Sequence, residues 1–340
     1  MNRIPVKLLL VAIGVGMLFL CIAFFMYFTR VVQSVEKQFG LTPVSLYQLA
    51  TDGESMIKST NGRVNILLLG VGGGEHEGPD LTDTIIVASF YLSQKTLSLI
   101  SIPRDIWSDT LKDKVNSAYH YGEEKNSGEG LTLASTATEE IIGIPIHYAM
   151  VIDFSQFEDL IDYIGGVDIT VPVAFVDSSY PIAGRENDEC QGDQTYVCRY
   201  QTVEFSEGLQ HMDGKRALMY VRSRHAEGNE GNDFSRGRRQ QDVIIAIKAK
   251  ILALEPWYHP DMSMRLFQSF DNATKTNLTI GQLLALGKLS IGIQSDQINK
   301  ISIESLLTEA PFEKYERYAL EPKEDALSIK EFIRTSLGNN

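Results

Sequence analysis

The fold is decided by the stretch 64–105, which reads VNILLLGVGGGEHEGPDLTDTIIVASFYLSQKTLSLISIPRD. It contains short apolar runs bounded by turn residues, at 64–70, 84–90 and 96–102. Runs of this length that are rich in β-branched residues are typical of buried strands. The stretch therefore predicts three consecutive strands. A glycine-rich loop follows the first strand, and a tight turn joins the other two.

The second and third strands predict a cluster of charges at one edge of the sheet. If they form an antiparallel hairpin, the start of one lies beside the end of the other, so Asp83 faces Arg104. Asp80 and Asp105 are close to these residues in the chain, and the glycine-rich loop reaches the same edge. Glycine lets a backbone approach a phosphate closely. The edge is a candidate anion site, although a glycine run alone is equally typical of a flexible turn.

Strand and helix patterns alternate after this hairpin. They predict helices at 131–142, 154–164 and 278–289, and strands at 147–153, 167–171 and 298–303. Such alternation indicates an α/β sheet covered by helices. The segment 175–204 is polar and predicts an irregular insertion, which either borders a binding site or is a loop without a role there.

A second charged stretch, RSRHAEGNEGNDFSRGRRQQ at 222–241, opposes the formal net charge of the protein, which is −13. It contains five arginines: Arg222, Arg224, Arg236, Arg238 and Arg239. Arginine favours planar, bidentate contacts with phosphate and carboxylate, so the cluster predicts a pocket for a multiply charged anion. Arg222 and Arg224 are two residues apart, so in an extended segment they point the same way and straddle one phosphate. A solvated basic loop is the alternative.

The end of this stretch predicts the start of a helix. With Asp233 as the N-cap, three polar side chains fall at i, i+3 and i+4 in the first turns: Arg236, Arg239 and Gln240. A helix N-terminus favours anions through its free N–H groups and its dipole. The competing interpretation is a salt-bridge network with three local carboxylates: Glu227, Glu230 and Asp233.

The segment 8–28 predicts a membrane anchor. It has 21 residues without a charge, which is long enough to span a bilayer. A cleaved signal peptide is the alternative, but it would have a shorter apolar part and a small-residue cleavage site. We therefore expect a single-pass protein of the cell membrane with its globular part outside the cytoplasm. The predicted organisation is a tail and transmembrane signal anchor at 1–29, a juxtamembrane connector at 30–62 and a globular domain at 63–340.

The expected pairing of Cys190 with Cys198 agrees with this topology. They lie in the polar insertion with seven residues between them, and we expect a disulfide, which fits a domain outside the cytoplasm. The sequence pI of about 5.0 argues against a nucleic-acid partner, because such domains usually carry a basic excess.

Several motifs, in order, resemble the LytR–CpsA–Psr family of cell-wall glycopolymer transferases: NILLLG, LTDTIIVASF, SLISIPRD, NSAYHYG, IGGVDITVP, LQHMDGKRALMYVRSR and DFSRGRRQQ. The resemblance implies an α/β fold with a mixed central sheet sandwiched by helices, behind one N-terminal transmembrane helix. It also implies that the globular domain is a phosphotransferase. Such an enzyme moves a polyprenyl-pyrophosphate-linked glycopolymer onto a peptidoglycan hydroxyl through a phosphodiester bond, with Mg²⁺ as cofactor.

The resemblance also implies roles for individual residues. Asp83 corresponds to a carboxylate associated with Mg²⁺, and Asp80 is a second candidate ligand. The catalytic candidates are Asp83, Arg104, Arg222, Arg224 and Arg236. The substrate-binding candidates are Asp105, Arg239 and Gln240.

One position departs from the family pattern. The family usually has an aspartate two residues after the glycine that ends the first strand, and here that residue is Gly72. Nearby carboxylates that could replace it are Glu75, Glu77 and Asp80. The metal site and the general base therefore stay open. So do two other functions: a polyprenyl-pyrophosphate hydrolase, and a non-catalytic protein that binds wall or lipid or has a regulatory role.

Overall fold

A computed structural model describes residues 26, 29, 30, 33, 36, 37, 40–72, 80–185, 187–254 and 260–338. The predicted membrane anchor at 8–28 lies outside these residues except for residue 26. No helix in the described part of the chain combines the length and the apolar character needed to cross a membrane. The anchor therefore stays a prediction.

The secondary structure of the described residues alternates strands and helices, as predicted. The strands are β1 (Arg63–Val71), β2 (Thr82–Tyr91), β3 (Thr96–Ser101), β4 (Trp107–Ser108), β5 (Asp113–Lys114), β6 (Tyr148–Asp153), β7 (Val167–Val171), β8 (Phe175–Pro181), β9 (Tyr200–Phe205), β10 (Gly208–Met212), β11 (Thr274–Thr276), β12 (Ile298–Ser302), β13 (Leu307–Glu309) and β14 (Leu320–Pro322). The helices are α1 (Pro43–Thr51), α2 (Ala118–Lys125), α3 (Gly130–Ile142), α4 (Phe154–Tyr163), α5 (Gly214–Arg222), α6 (Asp233–Ala253), α7 (Pro260–Ala273), α8 (Ile280–Ile291), α9 (Phe312–Tyr315) and α10 (Ala326–Ser336).

The central sheet of the described residues has the strand order β11–β6–β1–β2–β3–β12. The pairs β1–β2, β2–β3 and β6–β11 are antiparallel, whereas β1–β6 and β3–β12 are parallel. The sheet is therefore mixed, as expected. The predicted β2–β3 hairpin is confirmed, with Ile86 opposite Ser101 and Tyr91 opposite Thr96.

Apolar side chains cover both faces of this sheet. Side chains alternate along β2, so Ile85 and Val87 point to one face and Ile86 and Ala88 to the other. Ile85 and Val87 belong to a core that includes residues of α2, α3 and α10. Ile86 and Ala88 belong to another, against which Ile244 of α6 packs. Because β2 is buried on both faces, its sequence is almost continuously apolar.

The segment 175–204 is not irregular throughout, so that prediction is wrong in part. Its two ends form β8 and β9, an antiparallel ribbon whose β8 alternates buried and exposed positions. The exposed positions make the segment look polar, and one buried position is itself polar, Asp177. Between the strands, the Sγ atoms of Cys190 and Cys198 lie 1.99 Å apart.

The chain divides into two compact units. The smaller contains the described residues up to Lys58 together with Thr279–Ser290, and the larger contains Ser59–Leu278 and Ile291–Asn340. Within the smaller unit, Nζ of Lys288 donates to the carbonyl of Leu49 at 3.0 Å. All residues discussed below lie in the larger unit. The predicted boundary between 62 and 63 stays a prediction.

Gln241 holds helix α6 on the central sheet. Its side chain is buried, and its Nε2 donates to the carbonyl of Leu99 in β3 (3.0 Å) and of Ile301 in β12 (3.3 Å). One turn earlier, Gly237 approaches the sheet so closely that a Cβ there would lie 3.3 Å from the Cβ of Ser101. The start of α6 therefore lies beside the end of β3, next to the charged edge of the hairpin.

Candidate active site

Asp83 and Arg104 meet at the end of the β2–β3 hairpin, as the antiparallel pairing predicted. Arg104 donates from Nη1 to Oδ1 of Asp83. Its Nε lies 3.4 Å from Oδ2 of Asp105 and 3.7 Å from Oδ2 of Asp233. Burial lowers the pKa of Arg104, but the three carboxylates outweigh burial and raise it above its ordinary value. Arg104 is thus held in its charged form.

Asp105 belongs to an ion-pair network beside Arg104. The residue is buried, and the Nζ of Lys114 lies 2.7 Å from its Oδ1. The carbonyl of Asp105 accepts a hydrogen bond from the N–H of Leu320 at 2.8 Å. Burial raises the pKa of Asp105, but the hydrogen bond from Lys114 and the charge of Arg104 lower it overall. The predicted contact of Asp105 with substrate stays a prediction.

Helix α6 is capped by Asn232, so the predicted N-cap at Asp233 is wrong by one residue. Asn232 has an extended backbone (φ −127°, ψ 168°), and its Oδ1 accepts the N–H of Ser235 at 2.8 Å. Asparagine and aspartate are about equally favourable N-caps, so the sequence alone does not choose between neighbours. As the first helical residue, Asp233 is available to Arg236, whose Nη1 lies 3.1 Å from its Oδ1.

Arg236 is the buried cation of a pocket between the hairpin and the start of α6. It is 6% exposed. Burial lowers the pKa of Arg236, and the charges of Arg104 and Arg224 lower it further, against the opposite effects of Asp233 and Asp83. The pocket lining includes Asp83, Ser101, Pro103, Arg104, Arg236 and Gln240. Clustered guanidinium groups at a helix N-terminus fit an anionic ligand.

Arg239 caps the C-terminal end of α5. Its Nε donates to the carbonyl of Tyr220 (3.0 Å), its Nη2 to the carbonyl of Ser223, and its Nη1 to Oε2 of Glu230 (2.9 Å). The guanidinium also lies 4.7 Å from the ring centroid of Phe175. The last carbonyls of a helix lack intrahelical donors, and Arg239 supplies them. A substrate contact of Arg239 stays a prediction.

Arg222 is the last residue of α5, so the predicted extended conformation at Arg222 is wrong. The reason is the buried pair Leu218 and Val221, which continues one apolar helical face up to Arg222. The chain leaves the helix only at Ser223 (φ −58°, ψ 130°). The guanidinium carbon of Arg222 lies 5.7 Å from the ring centroid of Phe154. Arg222 is not among the residues that line the pocket.

Arg224 interacts electrostatically with the buried cation of the pocket. Its charge is one cause of the lowered pKa of Arg236. The Nε of Arg224 lies 3.2 Å from Nε2 of His225. Gln240 lines the pocket, and its Nε2 lies 3.5 Å from the carbonyl of Val221. The structure therefore brings the two arginine-bearing segments together at one place.

Asp177 is a residue of this region that sequence reasoning missed. It is 1% exposed, and its carboxylate accepts hydrogen bonds from the Ser223 hydroxyl (2.6 Å) and from the N–H groups of Arg224 and His225 (3.1 Å each). The one signal in the sequence is its spacing of two from Phe175, which puts both on the same face of a strand. That signal requires knowing that the segment is a strand.

Asp83 offers an oxygen ligand for Mg²⁺. Its side chain is 30% exposed and lines the pocket. Gly72 supplies no side-chain ligand, and among the described residues neither Asp83 nor Asp80 belongs to a cluster of three possible ligands. Residues 73–79, which include the candidate carboxylates Glu75 and Glu77, lie outside the described residues. Mg²⁺ at phosphate sites is usually held by one or two carboxylates with substrate phosphates and water, so the donors present fit an ion bound together with phosphate.

Comparison with known proteins gives a family match. The model of the LytR_cpsA_psr family matches residues 28–328. The chain is 28% identical over 228 residues to the polyisoprenyl-teichoic acid–peptidoglycan teichoic acid transferase TagV of Bacillus subtilis, covering 65% of the chain and 51% of TagV. It is 30% identical over 203 residues to TagT of the same organism, a transferase of the same description, covering 57% of the chain and 55% of TagT. The matched region thus spans about half the length of these curated relatives.

Solved structures share the fold. The crystal structure of B. subtilis TagV superposes with a TM-score of 0.56 at 24% identity, covering 83% of this chain and 100% of that one. A structure of TagT bound to LIIa-WTA gives a TM-score of 0.56 at 23% identity, covering 83% of this chain and 94% of that one. At this identity the likeness establishes the architecture of a mixed central sheet flanked by helices.

We predict different effects on stability for substitutions at Arg236 and at Arg239. Arg236→Met removes a buried charge that is repelled by two other arginines. Asp233 still has Arg104 as an ion-pair partner in this variant. We therefore expect the free energy of unfolding to be unchanged or to rise by about 1 kcal/mol. Arg239→Met leaves Glu230 and backbone carbonyls without their donor, so we expect a decrease of about 3–5 kcal/mol. Urea denaturation measures both, and equal losses would contradict the different roles assigned to the two arginines.

Proposed function

Because the chain belongs to the LytR–CpsA–Psr family, we propose that it is a membrane-anchored phosphotransferase of the cell wall. It moves a polyprenyl-pyrophosphate-linked glycopolymer onto a peptidoglycan hydroxyl through a phosphodiester bond. The names of its relatives TagV and TagT, which are teichoic acid transferases, support this class of reaction. The observation that carries the proposal is the pocket in which Arg104 and Arg236 lie beside Asp83 at the N-terminus of α6.

The proposed reaction exchanges one phosphate ester bond for another. The acceptor hydroxyl oxygen forms a bond to the phosphorus next to the sugar, and the bond from that phosphorus to the bridging oxygen breaks. Prenyl phosphate leaves with the electron pair, and the hydroxyl proton is released. Negative charge grows on the leaving phosphate, so prepositioned cationic donors stabilise the transition state more than the substrate. Arg104, Arg224 and Arg236 supply these donors, and the free N–H groups of α6 add to them.

Mg²⁺ fits the same pocket. Asp83 is the proposed carboxylate ligand and Asp80 the second. When bound, the ion would supply charge neutralisation on the phosphate oxygens. The side chain of Asp83 has two oxygens, and the hydrogen bond from Arg104 goes to Oδ1. The second oxygen is the one proposed for the ion.

The transfer proposal is tested with lipid-linked polymer and peptidoglycan. We expect a covalent polymer–peptidoglycan adduct. Arg224→Ala and Arg236→Ala should lower its rate of formation by about 10²–10³-fold, because each removes a donor to the transition state. Arg334→Ala, on the exposed face of α10, is the matched control and should retain the wild-type rate. Release of prenyl phosphate without an adduct would instead identify a hydrolase. Binding without turnover would identify a non-catalytic wall- or lipid-binding protein.

The metal proposal is tested with Asp83→Asn. If Asp83 holds Mg²⁺, the substitution abolishes Mg²⁺-dependent transfer and leaves the melting temperature nearly unchanged, because the fold then does not depend on the pair of Asp83 with Arg104. If Asp83 serves only as the ion-pair partner of Arg104, the melting temperature falls and the response to Mg²⁺ is that of the wild type. Transfer rates over a series of Mg²⁺ concentrations, together with thermal melts, distinguish the two.

Topology and the cysteine pair are tested in one experiment. We propose that residues 8–28 anchor the protein and that everything after them lies outside the cytoplasm, with Cys190 and Cys198 joined. Protease added to intact spheroplasts should then release the domain. The mass of the released domain is then measured after alkylation, with and without prior reduction. Two alkylated thiols should appear only in the reduced sample. Full protection from protease contradicts the topology, and free thiols in the released domain contradict the disulfide.

A further inference from the structure

Two side chains bind the turn after α5 at the same residue, Ser223. Ser223 is fully buried; its hydroxyl is bound by Asp177 and its carbonyl by Arg239. We propose that Asp177 and Arg239 clamp Ser223 and thereby fix the direction in which Arg224 leaves the turn toward the pyrophosphate. Asp177 and Arg239 are then positioning residues of the site. This inference rests on the proposed function for the identity of the anion.

The contacts of Asp177 converge on the backbone of this turn. Its Oδ2 accepts the Ser223 hydroxyl at 2.6 Å and the N–H groups of Arg224 and His225 at 3.1 Å each. Its Oδ1 accepts the N–H of Ser179 in its own strand at 3.0 Å. One carboxylate therefore binds three consecutive residues of the turn, and one of them carries a predicted pyrophosphate ligand.

The charge of Asp177 is balanced by these hydrogen bonds. Among the described residues no lysine, arginine or histidine forms an ion pair with it. Burial raises the pKa of Asp177, but the bonds from the Ser223 hydroxyl and from the backbone N–H groups lower it below its ordinary value. A buried carboxylate compensated only in this way is costly to displace from its donors. The conformation of the turn therefore depends on the charge of Asp177 as well as on the shape of its side chain.

Arg239 holds the same turn from helix α6. It donates to the carbonyls of Tyr220 and Ser223, on either side of Arg222, and to the side chain of Glu230. Its guanidinium packs on the ring of Phe175, two residues before Asp177 in β8. One face of β8 therefore supports both halves of the clamp.

A rigid turn matters because the cation that it presents is repelled by the buried charge of Arg236. Arg224 has a long, flexible side chain, and its charge acts on Arg236. Fixing its backbone reduces the conformational entropy lost when the anion binds. The clamp therefore contributes to affinity for the anion without contacting it.

The experiment measures binding of geranyl pyrophosphate by calorimetry and exchange of the turn amides by hydrogen–deuterium exchange. The variants are wild type, Asp177→Asn, Arg224→Ala and the double variant. Asparagine keeps the size of Asp177 but loses the charge, and an NH₂ group replaces one of its two acceptor oxygens. We expect Asp177→Asn to weaken binding by about tenfold or more and to speed exchange at Arg224 and His225. In the Arg224→Ala background the same change should weaken binding far less, because the residue that Asp177 positions is absent.

Asp325→Ala is the control for a general loss of stability. Asp325 caps α10 through the N–H of Ser328 (2.9 Å), so its removal destabilises the fold away from the turn. We expect wild-type affinity and wild-type exchange at the turn in this variant. Equal weakening by Asp177→Asn with and without Arg224, or wild-type exchange at the turn in Asp177→Asn, overturns the clamp. If the wild type does not bind geranyl pyrophosphate, the proposed function fails, and the exchange measurement alone then decides whether Asp177 fixes the turn.

Discussion

The buried guanidinium of Arg236 is the constraint on which the rest of the site depends. Removing a charge from water costs several kcal/mol unless partners compensate. Asp233 supplies one partner, but Arg104 and Arg224 act against it, and the positive end of the α6 dipole does so as well. A cation at this position is unfavourable in isolation and favourable once a multiply charged anion binds. The same electrostatics that make the empty pocket costly favour a multiply charged anion, such as the pyrophosphate of the proposed substrate.

Helix α6 positions this charge because its polar residues point in different directions. At about 100° per residue, Gln240 lies about 40° from Arg236 around the helix, so the two line one pocket. Arg239 lies about 60° to the other side and reaches the end of α5, while Gln241 lies about 140° away and reaches the sheet. These directions agree with the observed partners. One helix turn thus fixes the pocket, the arginine-bearing turn and the sheet relative to one another.

The sequence predicted the parts of the fold that depend on continuous burial or local pairing. Strand β2 is buried on both faces and was recognisable for that reason, and the short β2–β3 turn required Asp83 to meet Arg104. Ribbon β8–β9 was missed because only alternate positions are buried and Asp177 breaks the apolar pattern. The N-cap was misplaced because asparagine and aspartate, at positions 232 and 233, are about equally favourable N-caps. Contacts between distant segments, such as Asp177 with the turn, have no local pattern to reveal them.

Gly72 changes the charge balance of the pocket as well as its ligands. Strand β1 ends with Val71 opposite Thr82, so Gly72 lies at the same edge as Asp83. A carboxylate at Gly72 would offset part of the positive charge of Arg104 and Arg236, and glycine contributes no such charge at this position. A more positive edge binds phosphate more strongly and a divalent cation more weakly. Under the proposed function, Gly72 therefore shifts charge stabilisation toward the guanidinium groups, and Mg²⁺ would depend on the substrate phosphates and on carboxylates other than one at residue 72.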